Sequence, residues 1–62
     1  PQLLNELRVG DACALLKNPA IPIQVVASES GFNSIASFNR VFREITGETP
    51  SAWRSARTQA AG

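Results

Sequence analysis

The chain has 62 residues, a formal net charge of +1 and one cysteine, and it contains no histidine. This length makes one small domain, the single cysteine excludes an internal disulfide, and the lack of histidine excludes a Ser-His triad and the usual composition of a zinc site. Phosphate-binding and dinucleotide-binding glycine loops are also missing. We therefore predict a protein that is not an enzyme and that uses no metal or cofactor.

The sequence also indicates where the protein is located and how its charge is distributed. No apolar run approaches the roughly 18 residues of a membrane span, and no signal peptide is visible, so we expect a cytoplasmic protein. The chain begins with Pro1 rather than Met, in the middle of a helical pattern, which predicts a fragment of a longer protein. Positive charge is concentrated in residues 33–57. This segment contains four arginines and two glutamates, so its net charge is +2.

The first predicted helix covers about 2–17. Apolar residues at helical spacing occur on two sides of it, with Leu3, Leu4, Leu7, Ala12, Leu15 and Leu16 on one and Val9 and Cys13 on the other. This distribution predicts a helix that packs against neighbours on both sides, with Cys13 as a small apolar residue rather than a reactive thiol. Gly10 weakens the helix by about 1 kcal/mol relative to Ala, and Pro19 and Pro22 end it.

The second predicted helix, about 22–30, is short and contains the β-branched pair Val25 and Val26, so tertiary packing must hold it. Gly31 follows as a left-handed stop. Ala27, four residues before this glycine, is small enough to let another helix approach closely. A short helix, a glycine turn and a second helix form the pattern of a helix-turn-helix.

The third predicted helix covers about 34–46 and can be capped by Asn33 or Ser34. Its apolar stripe consists of Phe38, Val41, Phe42 and Ile45, with Ile35 at the edge. At 100° per residue the opposite face holds Ala36, Asn39, Arg40 and Arg43. Gly47 closes the helix, and Thr49 and Pro50 begin a last helix of about 50–58, with Trp53 in the core and a frayed tail over 59–62.

The polar face of the third helix has two interpretations. The DNA major groove admits one α-helix, Asn pairs with adenine and Arg with guanine, and no acid occurs in residues 33–43, which favours DNA. Every surface helix has a polar face, however, so an ordinary solvated face or a protein-binding helix stays open at this level.

Residues 21–54 closely resemble the second helix-turn-helix of the AraC/XylS family of bacterial transcription regulators. The motif residues are Ile23, Val26, Ala27, Gly31, Phe32, Phe38, Arg40, Phe42, Arg43, Gly47, Thr49, Pro50, Trp53 and Arg54. Upstream, the segment RVGDACALL resembles the family's linker helix. The resemblance implies an all-α, homeodomain-like helix-turn-helix bundle of about four helices. Residues 1–18 would be the linker helix and the tail of a first unit, and 19–58 the second unit.

The resemblance implies double-stranded DNA as the partner, and a first helix-turn-helix unit and an effector or dimerisation domain outside this chain. By position it implicates Asn33, Ser34, Ile35, Ala36, Asn39, Arg40 and Arg43. Ile35 and Ala36 cannot hydrogen-bond a base but can touch a thymine methyl, so Asn39 and Arg40 are the expected base contacts. Ser34 and Arg43 are the expected phosphate contacts. The alternative role is contact with a protein such as RNA polymerase, through Ile35 and Ala36.

Overall fold

The computed structural model describes residues 2–61, and for Gln2 and residues 58–61 only the backbone. Within these residues, four helices follow one another: α1 Gln2–Leu16, α2 Ile23–Glu29, α3 Ile35–Thr46 and α4 Pro50–Ala61. The prediction of an all-α bundle of about four helices is therefore confirmed. None of these helices is long and apolar enough to cross a membrane, within the part of the chain that the structure describes.

The helix bounds differ from the predicted ones mainly at the C-terminal end. The last helix was expected to end near residue 58, but α4 continues to Ala61. Its final residues include two alanines, the best helix formers, and no helix breaker. Gly62, the last residue of the predicted tail, lies outside the described residues.

The core is built around a row of aromatic rings that runs from the turn before α3 to α4. Ring centroids lie 5.1 Å apart for Phe32 and Phe38, 5.6 Å for Phe38 and Phe42, and 6.1 Å for Phe42 and Trp53. Phe38 and Phe42 are completely buried, and Trp53 is nearly so. Tilted and edge-on pairs at these separations are favourable beyond the area that they bury. Phe32 is half-buried at the edge of this core.

The turn between α2 and α3 has the hydrogen bonds of a Schellman motif. The Phe32 N–H donates to the Ala27 carbonyl at 3.0 Å, and the Gly31 N–H donates to the Ser28 carbonyl at 3.1 Å. Gly31 has a φ of +92°, the left-handed conformation that this motif requires. Gly47 ends α3 in the same conformation, with a φ of +86°. Gly31 thus ends α2 and turns the chain toward α3, and Gly47 ends α3.

Arg54 of α4 fastens that helix to the segment between α1 and α2. Its Nε donates to the Leu16 carbonyl at 3.0 Å, and its Nη2 donates to the carbonyls of Ile21 at 2.6 Å and Asn18 at 3.3 Å. The last carbonyls of a helix have no partner within the helix. The planar guanidinium satisfies one of them and holds the following loop, so Arg54 has a structural role.

The predicted division of α1 into two apolar sides is wrong in detail, because Val9 lies in the core together with Ala12 and Leu16 and not on a side opposite to them. Val9, Ala12 and Leu16 are buried in the core. Leu3 and Leu7, in contrast, are 69% and 61% exposed. The packing of α1 on both sides is therefore seen on one side only within this chain.

Three glycine variants test the assigned turns. We expect Gly31→Ala and Gly47→Ala each to lower the free energy of unfolding by about 1–2 kcal/mol, because both require a left-handed backbone. Gly10→Ala is the control, since an added Cβ there meets nothing within 4 Å. Gly10→Ala should raise stability by about 0.5–1 kcal/mol. Urea unfolding followed by circular dichroism measures all three, and an unchanged stability of Gly31→Ala would contradict the assignment.

A second set of variants tests the fork of Arg54. Arg54→Ala should lower the free energy of unfolding by about 1–3 kcal/mol, because two partly buried carbonyls, those of Leu16 and Ile21, lose their donor. Arg54→Lys should retain only part of the stability that Arg54 provides, since an ammonium group cannot reproduce the planar set of N–H donors of a guanidinium group. Arg43→Ala, which removes an exposed arginine, should stay within about 0.5 kcal/mol of the parent chain. Equal effects of Arg54→Ala and Arg43→Ala in the same unfolding experiment would refute this role.

Candidate nucleic-acid interface

Helix α3 presents two chemically opposite faces. Phe38, Val41 and Phe42 face the core and are buried. Four residues on the other side are all exposed, and we call them the recognition face: Ala36, Asn39, Arg40 and Arg43. The aromatic row fixes the rotation of α3 about its axis, so the burial of one face determines the exposure of the other.

The recognition face lines one shallow, open concavity of about 600 Å³. Glu44 and Thr49 also line it. The sequence predicted Thr49 as the start of the last helix, but it predicted neither residue at this surface. Glu44 places a carboxylate next to the two arginines, one residue beyond the acid-free stretch noted in the sequence. A carboxylate at the margin repels phosphate and can accept a hydrogen bond from cytosine N4.

The N-terminus of α3 is capped by Ser34 and not by Asn33. The Ser34 Oγ accepts a hydrogen bond from the Ser37 N–H at 3.1 Å, which is the usual geometry of a serine N-cap. A hydroxyl that accepts one hydrogen bond can still donate its own proton. Ser34 therefore stabilises the helix and remains chemically able to contact a phosphate.

The structure does not gather all seven predicted site residues around one concavity. Asn33, Ser34 and Ile35 line a separate depression beside α2, together with Gln24 and Ser28. Ile35 is 39% exposed there, as expected for a residue at the edge of the apolar stripe. The predicted residues thus form two sets, the recognition face of α3 and a separate group at the start of α3 beside α2.

A third surface feature was not found from the sequence. A cleft of about 240 Å³ lies between α1 and α3, and we call it the α1–α3 cleft. Its polar lining consists of Asn5, Arg8, Asn33, Ser37 and Arg40. Arg8 and Arg40 are 32 positions apart in the chain, so no local pattern could have connected them.

The other arginines of the C-terminal half belong to the scaffold. Arg57 lies over the ring of Trp53, with its guanidinium carbon 4.1 Å from the ring centroid. Its charge also acts on Cys13 of α1: burial raises the pKa of the Cys13 thiol, and the charges of Arg57 and Lys17 oppose that rise only in part. A raised pKa keeps the thiol protonated at neutral pH, as expected of a structural cysteine.

Across the described residues, no group of acidic, cysteine or histidine side chains could hold a metal ion.

Comparison with known proteins agrees with this geometry. A family model described as a helix-turn-helix domain matches residues 1–56. The chain is 38% identical over 58 residues to the HTH-type transcriptional activator RhaR of Escherichia coli strain K12, and equally to that of Shigella flexneri serotype 5b. The aligned region covers 94% of this chain.

The match covers only part of the length of these relatives. The chain spans about a fifth of the length of each curated relative, since 21% of each is covered. No solved structure matches the chain. Helix-turn-helix architecture is therefore supported by a family model and by relatives named as transcriptional activators.

Proposed function

The chain belongs to the AraC-type helix-turn-helix family of DNA-binding modules of transcription regulators, and we propose that it reads the major groove of double-stranded DNA with α3. One observation carries the proposal: the face of α3 opposite the buried aromatic row is exposed and consists of an alanine, an amide and two guanidinium groups. Such a helix fits the major groove, which is about 12 Å wide.

The proposed contacts follow from the chemistry of each side chain. Asn39 can pair with an adenine and Arg40 with a guanine through two hydrogen bonds each. Arg43 and Ser34 contact phosphates, which position the helix without reading sequence. Ile35 and Ala36 contribute apolar contacts, to a thymine methyl for example. Asn33 lies at the turn and contacts the backbone of the same strand.

The rest of the regulator is part of the proposal. The exposed leucines of α1 form an apolar surface that a preceding helix-turn-helix unit would cover, because an exposed group of large apolar side chains commonly marks an interaction surface. The complete protein would also carry an effector or dimerisation domain. A regulator that binds the chromosome of a bacterium acts in the cytoplasm.

A second function is supported by one specific observation. Ile35 is 39% exposed and lies beside a depression that Ala27 and Phe32 also line. An apolar group of this kind suits contact with a protein such as RNA polymerase. The two functions differ in salt dependence, since each phosphate contact lowers log K by about 0.9 per tenfold rise in salt, whereas an apolar contact at Ile35 would respond much less.

We expect an NMR titration of this chain with a short duplex at low salt to shift amides mainly in residues 33–43. The affinity should lie in the range of non-specific binding, with a Kd of roughly 10⁻⁴–10⁻⁶ M at physiological salt. The double variant Asn39→Ala with Arg40→Ala should weaken binding by about 1–3 kcal/mol, or roughly fivefold to 150-fold.

Lys17→Ala is the matched control for charge, since Lys17 is an exposed cation directly after α1 and lines neither the concavity of the recognition face nor the α1–α3 cleft. It should weaken binding less than twofold. Shifts that avoid residues 33–43 in a folded chain would contradict the proposal. If the chain binds RNA polymerase, and this binding is weakened by Ile35→Ser but does not change with salt, the protein-contact function is favoured.

A further inference from the structure

The α1–α3 cleft runs alongside the recognition face but is formed by a different pair of helices. Arg8 and Asn5 come from α1, Ser37 and Arg40 from α3, and Asn33 from the turn between α2 and α3. Arg40 lines both the cleft and the concavity of the recognition face. The two features are therefore neighbours that share one guanidinium group.

We propose that the α1–α3 cleft binds a backbone phosphodiester of the same DNA duplex, with Arg8 as its principal cation. The inference rests on the proposed function, because it assumes that α3 lies in the major groove. It adds a contact from α1, a helix to which the sequence assigned a linking role only.

The lining of the cleft has the chemistry of an anion site. It contains two guanidinium groups, two side-chain amides and one hydroxyl, and all of these can donate hydrogen bonds. No residue that lines the cleft is acidic, in contrast to the recognition face, where Glu44 is at the margin. Two cations that face one cleft without a carboxylate between them favour a bound anion.

Gly31 gives Arg8 its position. A Cβ built on Gly31 would lie 3.3 Å from the Arg8 Nε and 3.8 Å from its Cδ, which is tighter than most contacts of real Cβ atoms. The side chain of Arg8 therefore lies across the bare backbone of the turn and is half-buried there. Because this packing restricts the side chain before DNA binds, less conformational entropy is lost on binding.

The location of the cleft favours a DNA strand over a small free anion. Phosphates border the major groove on both sides of an inserted helix, and contacts to them fix its register. Ser37 precedes Arg40 by three residues and so lies one turn away on the same flank of α3. A strand that passes this flank can reach Arg40 and the cleft together.

The salt dependence of DNA binding tests this proposal. The affinity of the 62-residue chain for a mixed-sequence duplex is measured by fluorescence anisotropy between low and moderate salt. We expect Arg8→Gln to make the slope of log K against log salt shallower by about 0.9, the value of one phosphate contact, and to lower affinity roughly fivefold to tenfold at 0.1 M salt. Arg8→Lys should restore most of the slope because it retains the charge.

Lys17→Gln is the matched control, because it removes the same charge near the other end of α1 and should leave the slope unchanged. Ser37→Glu is a second, independent variant. Glu at the third position after the Ser34 cap completes a capping box, which favours the helix. It nevertheless adds a negative charge to the cleft. We expect the stability of the chain to be kept or raised while DNA affinity falls about tenfold or more.

The outcomes separate the two proposals. If Arg40→Gln weakens binding but Arg8→Gln matches Lys17→Gln in slope, the cleft is not a phosphate site and the role of α3 stands. If Ser37→Glu binds DNA as well as the parent chain, the cleft proposal is overturned in the same way. If the folded chain does not bind the duplex at all, both proposals fail.

Discussion

The orientation of α3 depends on the row of aromatic rings from Phe32 to Trp53. Phe38 and Phe42 occupy one side of the helix and are completely buried between neighbours on the turn and on α4. A rotation of α3 about its axis would remove these rings from the core, and truncation of such a ring costs about 3–5 kcal/mol. In so small a domain this is a large part of the total stability, so the direction of the recognition face is set by the interior.

Contacts with the other helices and the turn hold α3 and the aromatic row in place. The turn at Gly31 determines where α3 begins relative to α2, and Ser34 caps its first N–H groups. Arg54 ties α4, which carries Trp53, to the end of α1. A single small core thus positions one exposed face, and the polar groups that surround it come from three helices and one turn.

Much of this fold follows from local patterns in the sequence, because periodicity, glycine turns and proline starts act over a few residues. Phe38 and Phe42 were predicted in the core, and Arg40 and Arg43 on the opposite face. The end of α4 was less predictable, since helix ends depend on weak propensities. The position of Arg8 depends on the packing of α1 over Gly31, which no spacing within one helix reveals. The separation of Asn33, Ser34 and Ile35 from the recognition face likewise required the position of α2.

The exposure of the recognition face has a consequence for how such a module can change over generations. Ala36, Asn39, Arg40 and Arg43 lie outside the core, so substitutions there leave the stability of the domain nearly unchanged. New binding preferences can therefore arise one residue at a time without passing through unfolded intermediates. Arg54 and the aromatic residues lack this freedom, because their contacts hold the scaffold together. Binding specificity can thus change through the residues of the recognition face, while other residues of the same short chain maintain the fold.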